Sequence, residues 1–452
     1  MNQSFHPVLS DIKLPKRLSS QVRGGITLML CSLAFLTGYK GLGVADGLPL
    51  APELLHPPKQ LSPKEASQDT PLQLQLSPNL PVLNEAETGV SVDGTVVEIG
   101  VDHQLFDHRN AAGVWQSGDR AALIRSIDYS LAYLRTQAAV EDYAEYAASP
   151  NRVSGISRDR VQRSLRRFRE LLINSQSAEE LRLAVFSEFQ FYQSIGNDGL
   201  GSVEFTGYFE PTYTASRVPT ADYRYPLYGK PADLDTWSDP HPTRAELEGP
   251  TGLDGSEGPL AGLELVWMRD RLEAFLVQVQ GSARLSLTDG STLSVGYAGR
   301  TNYPYTSIGR RLIDTGKVPE EGLSLPVVLE YFRQNPKDLD VYLPQNNRFV
   351  FFQITNGGPP IGSLNQPVTS DRSIATDKSI MPPGALALIN TALPVGENLE
   401  AQVISRYVLD QDTGGAIRGP GRVDIFMGTG DEAGDRAGLT NSMGQLYYLL
   451  LK

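Results

Sequence analysis

Cysteine is nearly missing from this sequence: Cys31 is the one thiol in 452 residues. That excludes both a disulfide framework and a cysteine-based zinc site. Histidine is scarce too, and His6, His56, His103, His108 and His241 all lie in the first 241 residues. No His-x₃-His pair and no Gly-x-Ser-x-Gly elbow occurs, which argues against a zinc hydrolase or a Ser-His-Asp esterase. No P-loop occurs either, which argues against nucleotide hydrolysis. Positive charge is in deficit, with 40 Lys and Arg against 52 Asp and Glu and a net charge of −12. A phosphate backbone needs a basic face, so no nucleic-acid partner is expected. Anionic polymers would be repelled at long range unless one local basic groove overrides the balance. No internal repeat is visible. What remains is carboxylate chemistry.

The N-terminus reads as an export segment. Lys13, Lys16, Arg17 and Arg23 precede the apolar run Ile26–Leu36, too short for a membrane span. Gly43-Val-Ala45 offers small residues for cleavage before Asp46. Leu28-Met29-Leu30 lacks the small residue normally found before a lipidated cysteine, so a cleaved signal is favoured over a lipid anchor at Cys31; an uncleaved anchor stays open. Residues 46–88, punctuated by Pro49, Pro52, Pro57, Pro58, Pro63, Pro71, Pro78 and Pro81, read as an extended, mobile linker.

The first folded part is helical. Asp119–Arg135 lines up Leu123, Ile127, Leu131 and Leu134 on one face. A second helix, opened by Ser157, carries Val161, Leu165, Phe168 and Leu172. The third starts at a capping box, Ser177 to Glu180, and runs to Gly196 as its C′ residue. After about residue 200 the texture changes to strands: 203–211, 275–281, 293–299, 348–353, 384–389, 403–409, around Asp424, and 445–451. Short helices are expected at 307–314 and 324–333. Many short strands with Gly and Pro turns suggest a barrel rather than a parallel α/β sheet.

The chemistry concentrates near the C-terminus. Asp410, Asp412, Asp424 and Asp431 surround a glycine-rich turn. Asp424 stands between Val423 and Ile425, where desolvation is expected to raise its pKa and suit it as a general acid. The same spacing also describes a tight hairpin whose aspartates only hold turns. Two Asp-Thr-Gly triplets, Asp314–Gly316 and Asp412–Gly414, match the aspartic-protease signature. Against that reading, Asp314 ends a helical pattern, whereas a protease dyad needs two equivalent loops.

Four ordered motifs carry a resemblance. They are Phe205-Thr-Gly-Tyr-Phe-Glu-Pro211; Val279-Gln-Gly-Ser282 with Tyr297-Ala-Gly299; Asp377-Lys-Ser-Ile-Met-Pro-Pro-Gly384; and Asp412-Thr-Gly-Gly-Ala-Ile-Arg-Gly, followed by Arg422-Val-Asp-Ile-Phe and Gly428-Thr-Gly-Asp-Glu-Ala433. Together they resemble the membrane-bound lytic murein transglycosylase A family from about residue 100 to the end. The resemblance implies a mainly β fold with a helical N-terminal part: a double-psi β-barrel domain, a second smaller β-barrel inserted in it, and a groove between. The corresponding division is 1–45 signal or anchor, 46–88 linker, 89–215 helices and first part of the barrel, 216–345 insert, 346–452 second part. It implies cleavage of peptidoglycan between N-acetylmuramic acid and N-acetylglucosamine, leaving 1,6-anhydro ends, with no cofactor or metal. By motif the catalytic position falls on Asp424, supporting carboxylates on Asp377 and Asp412, and substrate contacts on Thr206, Gln280, Gly281, Ser282 and Gly299. An exported, periplasmic or membrane-associated location follows, with glycan strands and other cell-wall enzymes as partners.

One carboxyl suffices for such a reaction. Ordinary glycosidases use two, but here the sugar's own C6 hydroxyl attacks, favoured by proximity. Arg418, Arg422 and Arg436 complicate the picture, since a close guanidinium would lower the Asp424 pKa; they either bind substrate carboxylates or face solvent. The alternatives that stay open are a non-enzymatic glycan-binding module and the aspartic protease.

Overall fold

The computed structural model describes residues 74–76 and 98–452, except 110–112, 114, 150–152, 154, 322, 324 and 397. The expected export segment and most of the proline-rich stretch lie outside the described residues. Within that stretch, β1 (Leu74–Leu76) departs from the expected unpaired linker and pairs antiparallel with residues 192–194. A short extended segment adds to an open sheet edge through backbone hydrogen bonds and needs no core of its own. A small hairpin follows, β2 (His108–Arg109) with β3 (Trp115–Gln116).

α1 (Arg120–Tyr133) buries Leu123, Ile127 and Leu131, as their spacing predicts. α2 (Gln137–Ala148) is a helix that apolar spacing does not announce. Its buried face is Ala139, Tyr143 and Tyr146, and the hydroxyl of Thr136 caps it by accepting from the Ala139 amide. α3 (Arg158–Asn174) starts at the Ser157 cap and buries Val161, Leu165, Phe168 and Leu172. α4 (Ala178–Glu188) starts at Ser177, but the Glu180 carboxylate accepts from the Gln176 amide, one residue before the cap. This helix ends well before Gly196. Phe189–Ser194 is a strand, β4, because its aromatic residues fit a pleated surface and bury there as Phe189, Phe191 and Tyr192.

β5 (Val203–Glu210) and β6 (Thr212–Ser216) are separated by Pro211 alone. Proline cannot donate to a ladder, and here the chain passes from one sheet into another. β7 (Tyr225–Tyr228), α5 (Arg244–Glu248) and β8 (Glu264–Met268) come next. The strand expected over 275–281 is instead α6 (Arg271–Gln280). The Asp270 side chain accepts from the amides of Leu272 and Glu273, capping the helix, and Gly281 ends it at a positive φ of 80°. Ala274, Phe275, Leu276, Val277 and Gln278 are all buried, so no polar face marks the helical period. β9 (Ser282–Leu287), β10 (Thr292–Arg300), α7 (Ile308–Asp314), α8 (Leu325–Gln334), α9 (Leu339–Tyr342) and β11 (Val350–Thr355) follow. The chain ends with β12 (Ser373–Ala375), β13 (Leu386–Val395), β14 (Glu400–Asp412), β15 (Arg422–Thr429), α10 (Asp431–Leu439) and β16 (Asn441–Leu451).

The fold is mainly β with helices. One sheet runs β1-β4-β16-β13-β14-β12-β15-β5, and a further pairing of β16 with β5 closes its last six strands into a ring. The other runs β11-β10-β9-β6-β8-β7, its two edges brought together by a bridge between Gly229 and Phe352. Within the ring β12–β14 and β15–β5 are parallel and the other pairs antiparallel. Helices α1, α3 and α4 share one apolar core with the ring, whereas the second sheet has its own.

The fully buried Arg372 ties the chain ahead of α1 to this ring. It donates to the carboxylates of Asp102 and Asp119 and, at 2.8 Å, to the Tyr407 carbonyl, while Asp102 accepts from the Tyr407 amide at 3.0 Å. Removing Asp102 takes away the fully buried partner and leaves Arg372 only the part-exposed Asp119 as an ion-pair partner. Asp102→Ala should therefore cost about 3 kcal/mol of stability, the lower end for a broken buried pair, read by urea unfolding. A loss below about 1 kcal/mol, the level of an average substitution, would show that Arg372 does not depend on it.

Candidate active site

Backbone register builds the site. In β12, Ala375 lies opposite Asp412 of β14 on one side and Asp424 of β15 on the other. Asp424 lies opposite Thr206 of β5, and Thr206 opposite Asn441 of β16. Directly opposed residues present their side chains to the same face. The row Asp412–Ala375–Asp424–Thr206 therefore crosses four strands on one face, with the methyl of Ala375 leaving room between two carboxyls. Two strand spacings put the backbones of Asp412 and Asp424 about 10 Å apart. Both aspartates and Ala375 line a cavity of about 560 Å³ whose other wall comes from the second sheet.

Asp424 is 3% exposed, between the buried Val423 and Ile425. The Thr206 hydroxyl donates to its Oδ1 at 2.7 Å. Thr206 is thus fixed on Asp424 and does not belong to the cavity wall, where a glycan contact was expected. Asp412 accepts from the Tyr208 hydroxyl at 2.7 Å and from the amides of Thr413 and Ser363 at 2.8 and 2.9 Å. Burial pushes its carboxyl above the ordinary range, and these hydrogen bonds with nearby Lys378 oppose the rise without cancelling it. Asp377 is not among the residues that line the cavity. It accepts from Ser379 and from the Gly419 amide, and so clamps the turn after β12 to the loop ahead of β15. Asp410 is fully buried on Lys378, Thr376 and Tyr448, and Asp431 begins α10.

The arginines separate in the same way. Arg422 pairs with Glu204 and Arg436 with Asp371, while Arg418 faces the cavity. The aspartic-protease alternative is excluded: Asp314 ends α7 and pairs with Arg310, whereas Asp412 ends a strand, so the two triplets form no dyad.

On the opposite wall stand Gln280, Gly281 and Ser282 at the junction of α6 and β9. Both polar atoms of the Gln280 amide are buried without a hydrogen-bond partner among the described residues. Gly299 is not on this wall; it lies at a bulge of β10 against Lys230 and Leu234. Tyr208, Lys378, Arg300 and Arg348 are wall residues that the sequence reading does not single out. Tyr208 is legible from the two-residue period of β5, which places it on the Thr206 face. Arg300 and Arg348 carry no local signal. Among the described residues no group of three or more His, Cys, Asp or Glu is placed to hold a metal ion.

Residues 204–353 match the family described as MltA specific insert domain, and residues 372–450 match the 3D domain. The chain is 33% identical over 264 residues to membrane-bound lytic murein transglycosylase A of Escherichia coli K12, covering 57% of this chain and 68% of that protein. It is 34% identical over 281 residues to the Vibrio cholerae protein of the same name, covering 61% and 73%. Among solved structures it resembles a membrane-bound lytic murein transglycosylase from Agrobacterium tumefaciens, with a TM-score of 0.59 at 27% identity, over 74% of this chain and 93% of that one. It also resembles E. coli MltA with bound chitohexaose, with a TM-score of 0.57 at 26% identity, over 79% and 98%.

Tyr208→Phe removes a donor that favours the ionised form of Asp412. The Asp412 titration should move further upward in the variant, measured by carboxyl-carbon NMR on aspartate-labelled protein. An unchanged or lower titration would show that the tyrosine does not stabilise the carboxylate.

Proposed function

The chain belongs to the membrane-bound lytic murein transglycosylase A family, and from that membership we propose that it cleaves the β-1,4 bond between N-acetylmuramic acid and N-acetylglucosamine in peptidoglycan, with Asp424 as its single acid and then base. The observation that carries the reading is the placement of Asp424: a nearly buried carboxyl at the cavity wall, one oxygen held by Thr206. That position at the cavity wall suits the carboxyl to hand a proton to a bound glycan. Asp424 gives its proton to the glycosidic oxygen as the C1–oxygen bond breaks. The C6 hydroxyl oxygen of the same muramyl ring bonds to C1, and its proton returns to Asp424. No water is consumed, and the product is a 1,6-anhydro ring. Intramolecular attack gains from proximity what a second carboxylate supplies elsewhere.

Gln280 suits the glycan side, because its amide offers two donors and an acceptor to sugar hydroxyls and N-acetyl groups. Asp377 and Asp412 are supporting carboxylates, Asp377 as a clamp on the turns and Asp412 through its hydrogen bonds to Tyr208 and the 363 loop. A closed ring containing two parallel pairings supports reading the first sheet as the double-psi barrel, made from 89–215 and 346–452, with 216–345 as the insert. The basic and apolar N-terminal run, together with relatives named membrane-bound, supports export to the periplasm and membrane association.

Asp424→Asn keeps shape but removes the transferable proton. Turnover on purified sacculi should fall by about 10²–10⁴-fold, with chitooligosaccharide binding retained. The released muropeptides of the native enzyme should lack one water relative to hydrolysed ends. Reducing ends would instead mean hydrolysis with Asp412 as the base, and an active Asp424→Asn protein would end the single-acid mechanism. No release at all, with binding intact, would leave a glycan-binding module.

A further inference from the structure

Cations gather in the cavity of a chain whose overall charge is −12. Arg300 and Arg348 of the second sheet and Arg418 of the loop after Asp412 all reach its wall. Arg348 is 8% exposed. Its Nε donates to the Tyr303 carbonyl at 2.8 Å. The charged and titratable groups that act on it most are Arg300, Arg418, Tyr297 and Tyr305, while Asp412 and Asp424 line the same cavity. Burial first, and then repulsion from Arg300 and Arg418, push Arg348 down to about 10. Arg418 is mostly exposed, and its ion pair with Asp377 spans 3.7 Å.

The arrangement is built rather than incidental. Arg244 is fully buried between the rings of Phe275 and Phe349, 5.0 Å from each centroid, and donates to the Arg348 carbonyl at 2.8 Å. This fixes the segment that presents Arg348. Across the cavity, Gly415 leaves the space that the guanidinium fills: a Cβ there would stand 1.8 Å from Arg348 Nη1. Like charges held near one another, with Arg348 buried among them, cost free energy unless an anion joins them. Guanidinium forks suit carboxylates in particular.

We propose that Arg300, Arg348 and Arg418 form a carboxylate subsite of this cavity, which takes the acidic groups that muramyl residues and their peptide stems carry and that chitin lacks. The subsite rests on the transglycosylase reading and sharpens it: the enzyme selects acidic glycan by charge, beside the neutral contacts of Gln280.

The test compares three substrates with the full-length enzyme: native sacculi, sacculi whose carboxylates are converted to methylamides with carbodiimide, and amidase-stripped strands that keep only the lactyl carboxylate. Wild type should show a KM on methylamidated sacculi raised roughly tenfold, the loss of one charge-assisted contact, with kcat changed much less. Arg348→Gln and Arg300→Gln should raise KM on native sacculi and be insensitive to methylamidation. Tighter use of stripped strands would identify the lactyl group as the ligand, and tighter use of native sacculi the stem carboxylates; both support the subsite. Equal KM for native and methylamidated sacculi in the wild type, with stripped strands used no more tightly than native sacculi, overturns it while leaving the activity standing. No cleavage of any substrate sinks the transglycosylase reading itself. Should Arg348→Gln fail to fold, Arg300→Gln and the wild-type comparison still decide.

Discussion

The site depends on ring closure at one crowded residue. Gly444 of β16 lies opposite Val203 of β5 and also opposite Thr391 of β13. Any side chain there would meet the Asn390 carbonyl at 2.3 Å and Thr391 Cβ at 2.6 Å. The last strand can therefore serve two neighbours only because this position is bare. Closure holds β5 against β15, and β15 against β12. Those pairings set Thr206 beside Asp424 and Asp424 two strands from Asp412. The active geometry is thus fixed by backbone hydrogen bonds, which tolerate little drift, and only finished by side chains.

Legibility in the sequence followed the range of the forces involved. Helices α1 and α3 could be read because Leu123–Ile127–Leu131 and Val161–Leu165–Phe168 repeat at helical spacing beside polar faces. α6 reads as a strand in the sequence because Ala274–Gln278 are all buried, so its pattern carries no helical period. The C-terminal aspartates were legible as a cluster, but their division of labour was not. Asp410 and Asp377 look no different from Asp412 and Asp424 until the strands are in register. Arg348 and Gly415 were invisible as a pair, since what joins them is the approach of two sheets.

The two walls of the cavity obey different physics. The ring wall is held by strand register and carries the carboxyls of Asp412 and Asp424. The wall of the second sheet brings two guanidinium groups and the Gln280 amide, whose polar atoms have no hydrogen-bond partner among the described residues. A polymer entering between them satisfies the second wall as it presents its bond to the first.

The single-residue passage at Pro211 has a consequence for how such a protein can diversify. The chain leaves the ring there, builds the second sheet over 212–355, and returns to the ring at Ser373. Every register contact among Thr206, Ala375, Asp412 and Asp424 is made within the ring. The excursion can lengthen, shrink or exchange its charges while the register of these four residues stays put. Selection can thus retune which polymer is gripped on one module and leave bond cleavage untouched on the other.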